Sequence, residues 1–530
     1  MNMKRNIVNI INFIRDVNPR QLNRDLVEPV INQIRMSKEY NLKTTFLIQY
    51  DALVDTRYSQ LLLKEKNDNI EIGAWFEVVQ PLVEKAGLKW RGREGFSWDW
   101  HANVGFSVGY SQTERELLID LLMEEFKCTF GNYPESVGSW FMDAHVLGYL
   151  EKRYSIKAAC MCRDQWGTDG YNLWGGYYNQ AFYPSRKNVF TPAQNIENQI
   201  NVPVFRMLGS DCIYQYDANF EEFFTPTKWQ PVLTLEPSYP LCGGNMEWVK
   251  WFFKENFENP SLSFGYTQVG QENSFGWATM GVGLENQMKY VAEQAAKGII
   301  QVETLKESGE WFKSQYKVTP ASSVMATSDW KNEGHQSVWY YNRYYRINIY
   351  FEKDRMWIRD IHRFDEEYQE RFLEDQCESA AVVYDNLPVV DGYRWCGENI
   401  RSGLYLVALQ ENGEVASLKG AEPIFTQGDQ QINIKWDLLN GNTINVDCWE
   451  KGIEVSSNAN GKDYAWALQM KWNPSADIPI VNVEDDRVFY TYNNYSYCMK
   501  SKVGAFKMSA TGNEILIYPQ NNTIILSIHE

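Results

Sequence analysis

The sequence predicts an α/β fold: a (β/α)7-8 barrel over residues 1–317, followed by an all-β, sandwich-like domain over residues 321–530. Three observations carry this expectation. The 530 residues amount to roughly three typical domains, so a single core is unlikely to serve the whole chain. Up to about residue 317, short β-branched or aromatic runs alternate with longer amphipathic segments, the signature of βα units on a parallel sheet. At Lys317-Val318-Thr319-Pro320 the helical periodicity stops and alternating runs follow.

Taken in order, the strand candidates of the first half are residues 7–14, 44–49, 70–75, 136–140, 157–161, 202–208, 261–269 and 299–304, with 232–235 competing for a place. The clearest helix follows Ser111. Ser111 and Glu114 form a capping box, Leu117, Leu118, Leu121, Leu122 and Phe126 make an apolar face, and Glu116, Asp120, Glu124 and Lys127 occupy the other. Seven or eight units over about 310 residues match a closed barrel with long insertions. The insertions, 80–110 and 163–200, are rich in Gly and Trp and begin just after strands, where barrel enzymes build their sites. In the second half, 344–351, 356–361, 431–436 and 443–449 alternate as strands, with hairpin turns at Asn440-Gly441, at Asn460-Gly461 and at Thr511-Gly512-Asn513. The last strands are 515–518 and 523–528.

Composition excludes several classes. With 44% apolar and 22% charged residues the chain is neither disordered nor a disulfide scaffold. A net charge of −17 without basic runs argues against nucleic acid or an anionic bilayer as partner. No stretch approaches the roughly 20 apolar residues of a membrane span. Lys4 and Arg5 ahead of residues 7–14 imitate a signal peptide, but Asn6, Asn9 and Asn12 interrupt the run, so a first strand is the better reading. Nine scattered cysteines show no disulfide framework or zinc spacing, which favours a reducing cytoplasm. The 20 Trp and 32 Tyr exceed ordinary core demand and suit sugar rings, whose C–H faces pack on aromatics.

Catalytic groups of a (β/α) barrel stand at the C-terminal ends of its strands. Those ends supply Arg15, Asp16 and Arg20 after strand one, Gln49 and Asp51 after strand two, Glu77 after strand three and Asp143 after strand four, with Asp164, Asp211 and Glu272 later. Acids interspersed with Trp and Arg, without a serine or cysteine nucleophile motif, suit glycosidic bond cleavage; N-capping and ion pairing are the structural alternatives for each. The 161–184 segment is the densest polar–aromatic stretch. Trp166 and Trp174 would stack on sugars and Asp164, Asp169 and Asn179 would bind hydroxyls, or else the segment is a self-packed surface loop. Glu272, beside Phe275 and Trp277, has the surroundings that raise a general acid's pKa. Of the five histidines only His101 and His145 fall in the barrel half, and neither forms a zinc-binding motif. Cys160 and Cys162 read as core residues. No dinucleotide or nucleoside-triphosphate fingerprint is present, so no cofactor is expected, and without a histidine motif no metal is expected either.

The first half resembles the glycoside hydrolase/deacetylase superfamily of irregular (β/α) barrels. The resemblance covers residues 5–317 and rests on Asp16 after strand one, Lys43-Thr44-Thr45-Phe46-Leu47, Ile70-Glu71-Ile72-Gly73 and Phe130-Gly131-Asn132-Tyr133-Pro134. More narrowly, residues 13–20, 162–184 and 271–274 followed by a β domain resemble an uncharacterised hydrolase-or-deacetylase group of gut Bacteroidetes and relatives. Deacetylases of the superfamily pair the first-strand Asp with a His-x-x-x-His after strand three; here Trp75-Phe76-Glu77-Val78-Val79-Gln80-Pro81 holds no histidine. The hydrolases' nucleophile and general acid/base positions fall on Asp143 and Glu272. The resemblance therefore implies a retaining glycoside hydrolase acting on an oligo- or polysaccharide, with Asp143 attacking and Glu272 as acid/base. Arg15, Asp16, Arg20, Gln49, Glu77, Asp164, Trp166, Asp169, Trp174 and Asn179 would line the sugar. The rivals are a metal-dependent deacetylase using Asp16 and His101, and an inert carbohydrate-binding barrel.

Overall fold

A computed structural model describes residues 5–18, 21–217, 233–411, 414–458, 465–510 and 512–529. Arg20, Val232, Asn460-Gly461 and Thr511 lie outside the described residues.

The barrel half is built on β1 (Asn6–Ile14), β2 (Thr44–Ile48), β3 (Ile70–Trp75), β4 (Ser136–Gly138), β5 (Ala158–Cys162), β6 (Gln165–Thr168), β7 (Tyr171–Trp174), β8 (Ala181–Phe182), β9 (Val204–Met207), β10 (Gly265–Val269) and β11 (Gln301–Glu303). Seven of these form one parallel path, β10-β1-β2-β3-β4-β5-β9, with β8 antiparallel on its edge and β11 parallel to the first half of β1. Near-continuous Val, Ile, Phe and Ala runs buried on both faces are what a covered parallel sheet requires.

The sheet curls as an open half-barrel. Between β9 and β10 no ladder joins the edges; side chains bridge them, with Gln268 accepting from the Leu208 N–H at 3.0 Å and Asn179 and Gln180 donating to the Tyr266 and Phe264 carbonyls. The expected competitor at 232–235 contributes no strand among its described residues, Thr234 making only an isolated bridge to Ser210. Seven or eight regular βα units are therefore not what the sheet displays.

Helices α1 (Val27–Glu39), α2 (Tyr50–Val54), α3 (Thr56–Glu65), α4 (Gln80–Lys85), α5 (Ala102–Gly105), α6 (Gln112–Phe130), α7 (Ala144–Tyr154), α8 (Met246–Phe257), α9 (Trp277–Ala296) and α10 (Leu305–Gln315) complete this half. The capping box of α6 forms as expected, with Glu114 N–H donating to Ser111 and Glu114 accepting in return. Its buried face is turned, however: Leu118, Ile119, Leu122, Met123, Phe126 and Phe130 are inside, Leu117 is exposed and Leu121 half-buried, because Arg115 is drawn into the interior on the same face. Capped by Thr304 and Glu307, α10 closes the N-terminal end of the sheet, its Leu305 and Lys306 N–H groups donating to Thr45 and Glu71.

Beyond Pro320 the chain is β. Strands β12 (Ser322–Ala326), β13 (His335–Tyr341), β14 (Tyr345–Glu352), β15 (Arg355–Arg363), β16 (Val382–Asp385), β17 (Leu387–Asp391), β18 (Gly403–Leu409) and β19 (Val415–Ser417) come first. All but β16 join a ten-stranded antiparallel sheet with Trp466–Lys471, Glu514–Tyr518 and Ala505–Met508. An eight-stranded antiparallel sheet holds most of the rest, and Ile347, Leu404 and Leu468 of the first sheet share one core with Ile434, Trp436 and Val446 of the second. The Asn440-Gly441 turn joins Ile432–Asp437 to Thr443–Trp449, with Gly441 in the left-handed region. Strand β16 returns to pair in parallel with β7, stitching the 163–200 insertion to the β half. Among the described residues no helix is long and apolar enough to cross a membrane.

Candidate functional site

The C-terminal ends of β1, β2, β3 and β10 converge on one buried guanidinium. Arg15 Nη2 lies 3.3 Å from Glu77 Oε2 and 3.0 Å from Glu272 Oε2. Because both oxygens meet the same nitrogen, they are at most 6.3 Å apart, the sum of the two distances. Gln49 Nε2 donates to Glu77 Oε2 at 3.4 Å. Trp98 lies under the guanidinium, 4.7 Å from ring centroid to Cζ, and Phe13 stacks on Trp75 at 4.0 Å below it.

Local sequence explains how these groups are aimed. Asn273 takes both polar groups of the Arg15 peptide, accepting from its N–H at 3.0 Å and donating to its carbonyl at 2.8 Å, while Gln271 N–H donates to Asn12. Gly270 makes this possible. Its φ is +112°, and a Cβ there would stand 2.2 Å from the Ile11 carbonyl oxygen. Phe76 N–H continues the β3–β4 pairing to the Gly138 carbonyl, and Val78 N–H is held by Gly105, fixing Glu77 between them.

The electrostatics separate the members. Burial pushes the Glu77 carboxyl up to about 7, against the opposing pulls of Arg15 and the Trp75 indole N–H. Burial opposes charge on Arg15 too, but Glu272 and Glu77 outweigh it and hold the guanidinium above its ordinary range. Two further acids are also raised to about 7 by burial: Asp51, which accepts from the backbone N–H groups of Ala52 and Asp16, and Glu236, which accepts from Gln271 and Thr234 and feels Glu272. Asp169, in the left-handed turn between β6 and β7, lies close enough for its charge to act on Arg15 and Glu77. Glu77 Oε1, Gln49 Oε1, Arg15 Nε and Trp98 Nε1 are buried without a hydrogen-bond partner among the described residues, so the cluster retains unused polar capacity.

Of the residues expected to act, the structure gathers Arg15, Gln49, Glu77 and Glu272, with Asp169 nearby. The other described ones are engaged elsewhere. Asp143 is 0% exposed and caps α7: Oδ1 accepts from the Val146 N–H at 2.9 Å and faces Arg115 at 3.3 Å, and Oδ2 accepts from Ser107 at 2.6 Å. Its environment is the Ser107–Arg115–Glu370 cluster, not the Arg15 cluster. Asp164 pairs with Arg346 of β14 at 2.6 Å, and Trp174 is fully buried with its indole N–H on Asp391 of β17. Trp166 is half-buried edge-on to Trp174, and Asn179 is spent on the Tyr266 carbonyl. Asp16 is held by Arg57 and Tyr58, and His101 by Asp99. Among the described residues no three His, Cys, Asp or Glu side chains are grouped to hold a metal. Sequence reasoning missed Glu236 and Asn273; the first directly follows the apolar 232–235 run, a strand-end position that the competing strand candidate already marked.

A curled parallel sheet with its polar cluster at the strand C-termini, extended by antiparallel sheets, defines the class: a mixed α/β protein built on an open half-barrel. Within it, the structure is similar to a protein from Parabacteroides distasonis provisionally described as a glycoside hydrolase/deacetylase, with a TM-score of 0.55 at 16% identity over 73% of this chain and 91% of that one. It is also similar, more distantly, to a provisional polysaccharide deacetylase from Mycobacterium smegmatis (TM-score 0.37, 12% identity, 60% of this chain and 94% of that one). The same holds for a family-57 branching enzyme from Thermococcus kodakaraensis (TM-score 0.31, 9% identity, 59% and 71%). No family model matches the sequence, and no curated protein matches it.

Proposed function

We propose that this chain is a carbohydrate-active enzyme that hydrolyses a glycosidic bond with Glu77 and Glu272 as its carboxyl pair. One observation carries the reading: two buried carboxylates share Arg15 Nη2 at a strand-end mouth, with oxygens no more than 6.3 Å apart. That bound on the nearest oxygens admits the roughly 5–5.5 Å carboxyl separation of retaining enzymes, the mechanism taken here. Glu272, ion-paired to Arg15, attacks the anomeric carbon as the C–O bond breaks. Glu77, protonated near neutral pH, gives its proton to the leaving oxygen. Water then attacks the same carbon, returning its proton to Glu77 and freeing Glu272. Asp143, first expected as the nucleophile, is a structural cap in this reading, and Glu272 takes that role instead. Residues 1–317 supply the chemistry, and 321–530 brace the 163–200 insertion through Asp164–Arg346.

A panel of aryl glycosides and N-acetylated glycans, read for both reducing ends and acetate, tests the reading. Release of reducing ends, lost in Glu77→Gln and Glu272→Gln, supports it. Acetate without reducing ends supports the deacetylase alternative that the Parabacteroides protein's double description keeps open. Thermal stabilisation by glycans without any turnover identifies an inert binding barrel.

A further inference from the structure

On the β half, remote in sequence from the Arg15 cluster, a cavity of about 280 Å³ lies between β14, β15, β18 and the strand Trp466–Lys471. Three cations, Arg355, Arg401 and Lys471, line it against a single acid, Glu352, in a chain whose net charge is −17. Glu352 is already shared: Arg355 approaches it at 2.5 Å and Arg401 at 3.7 Å, and Arg401 also reaches Asp217 at 3.4 Å. Lys471 is the cation left over. No acidic side chain stands within ion-pair distance of it among the described residues, and its ammonium rests 4.1 Å from the Tyr405 ring centroid. Burial lowers its pKa, Glu514 works in the opposite direction, and Arg355 adds repulsion.

An aromatic pair lines the cavity. Trp357 and Tyr405 are register partners on β15 and β18 and stack at 5.6 Å and 17°, with Gly403 pressed against both rings, where a Cβ would come within 2.9 Å of Trp357. A basic, partly desolvated recess over a fixed aromatic pair holds its cations close at a Coulombic cost that an anion between them removes.

We propose that this cavity binds the oxyanion group, a carboxylate, sulfate or phosphate, of a small polar ligand. The oxyanion lies between Lys471 and Arg355, whose fork-shaped donors suit such a group. The volume, near the lower end of ligand pockets, limits the ligand to about the size of one sugar ring. None of the residues of this cavity belongs to the barrel-mouth cluster, so the proposal stands whether or not the barrel hydrolyses sugars.

Calorimetric titration of the full chain at low ionic strength, with glucuronate, inorganic phosphate, sulfate and neutral glucose, tests it. At least one anion binds and glucose does not; added salt weakens the binding, and Lys471→Met weakens it about tenfold or more. Arg355→Gln, at a half-exposed side chain, gives the same loss without a folding risk. Preference for glucuronate over the inorganic ions assigns a sugar acid, and equal binding assigns a free oxyanion. Absence of binding by all three anions up to about 10 mM, or unchanged binding in both variants, overturns the proposal.

Discussion

Replacing Glu77 by Gln turns the buried carboxyl into a neutral group of nearly the same shape, and the consequence for stability follows from its shifted acidity. The carboxyl has its pKa raised from the ordinary 4.5 to about 7. A group raised in the folded state contributes stability that is present below its unfolded pKa and lost as pH climbs through the folded one. At pH 8 this rise, at about 1.36 kcal/mol per pKa unit, costs the wild type about 3 kcal/mol; at pH 5 the same group costs about 1 kcal/mol. The other raised acids, Asp51 and Glu236, cancel when variant and wild type are compared at the same pH. Urea denaturation of both proteins at pH 5 and pH 8 therefore shows the variant gaining about 2 kcal/mol on the wild type across that interval. A difference that stays flat within about 0.5 kcal/mol means that Glu77 titrates as an ordinary carboxylate and refutes the electrostatic account of the site.

Three further outcomes are expected. Turnover of an aryl glycoside, followed as kcat/KM against pH, falls above about pH 7 as Glu77 loses the proton it donates; a flat profile to pH 9 contradicts its role as general acid. Asp143→Ala lowers stability by about 2–4 kcal/mol through loss of the α7 cap and of the charge facing Arg115, yet leaves kcat per folded molecule unchanged. Gly270→Ala, forced against the Ile11 carbonyl in a left-handed backbone, costs about 1–3 kcal/mol in denaturation and reduces turnover by displacing Glu272.

The parallel strands were legible in the sequence wherever a β-branched or aromatic run was long enough to be buried on both faces, as at 7–14, 44–48 and 70–75. Strand ends then pointed to Arg15, Gln49, Glu77 and Glu272, because polar residues immediately after such runs have nowhere to go but the mouth of the sheet. Asp143 obeys the same rule and still caps a helix. The signal that separates it is local: Asp143 stands immediately before the helix-forming Ala-His-Val-Leu run and caps the third residue on, Val146, as an N-cap does. Asp164 and Trp174 were illegible for a different reason, since their partners Arg346 and Asp391 come from strands 182 and 217 residues further on. The turned face of α6 has the same origin, Arg115 being pulled inward by the carbonyls of Tyr110, Phe372 and Asp375.

The most direct test of the central claim is to trap the glycosyl-enzyme. Incubation with activated 2-fluoroglycosides, chosen from the aryl glycosides that are turned over, followed by peptide mass spectrometry, locates the covalent bond. The account predicts the adduct on Glu272, with Glu272→Gln unlabelled and Asp143→Asn labelled like the wild type. An adduct on Asp143, or undiminished turnover by Glu272→Gln, contradicts it.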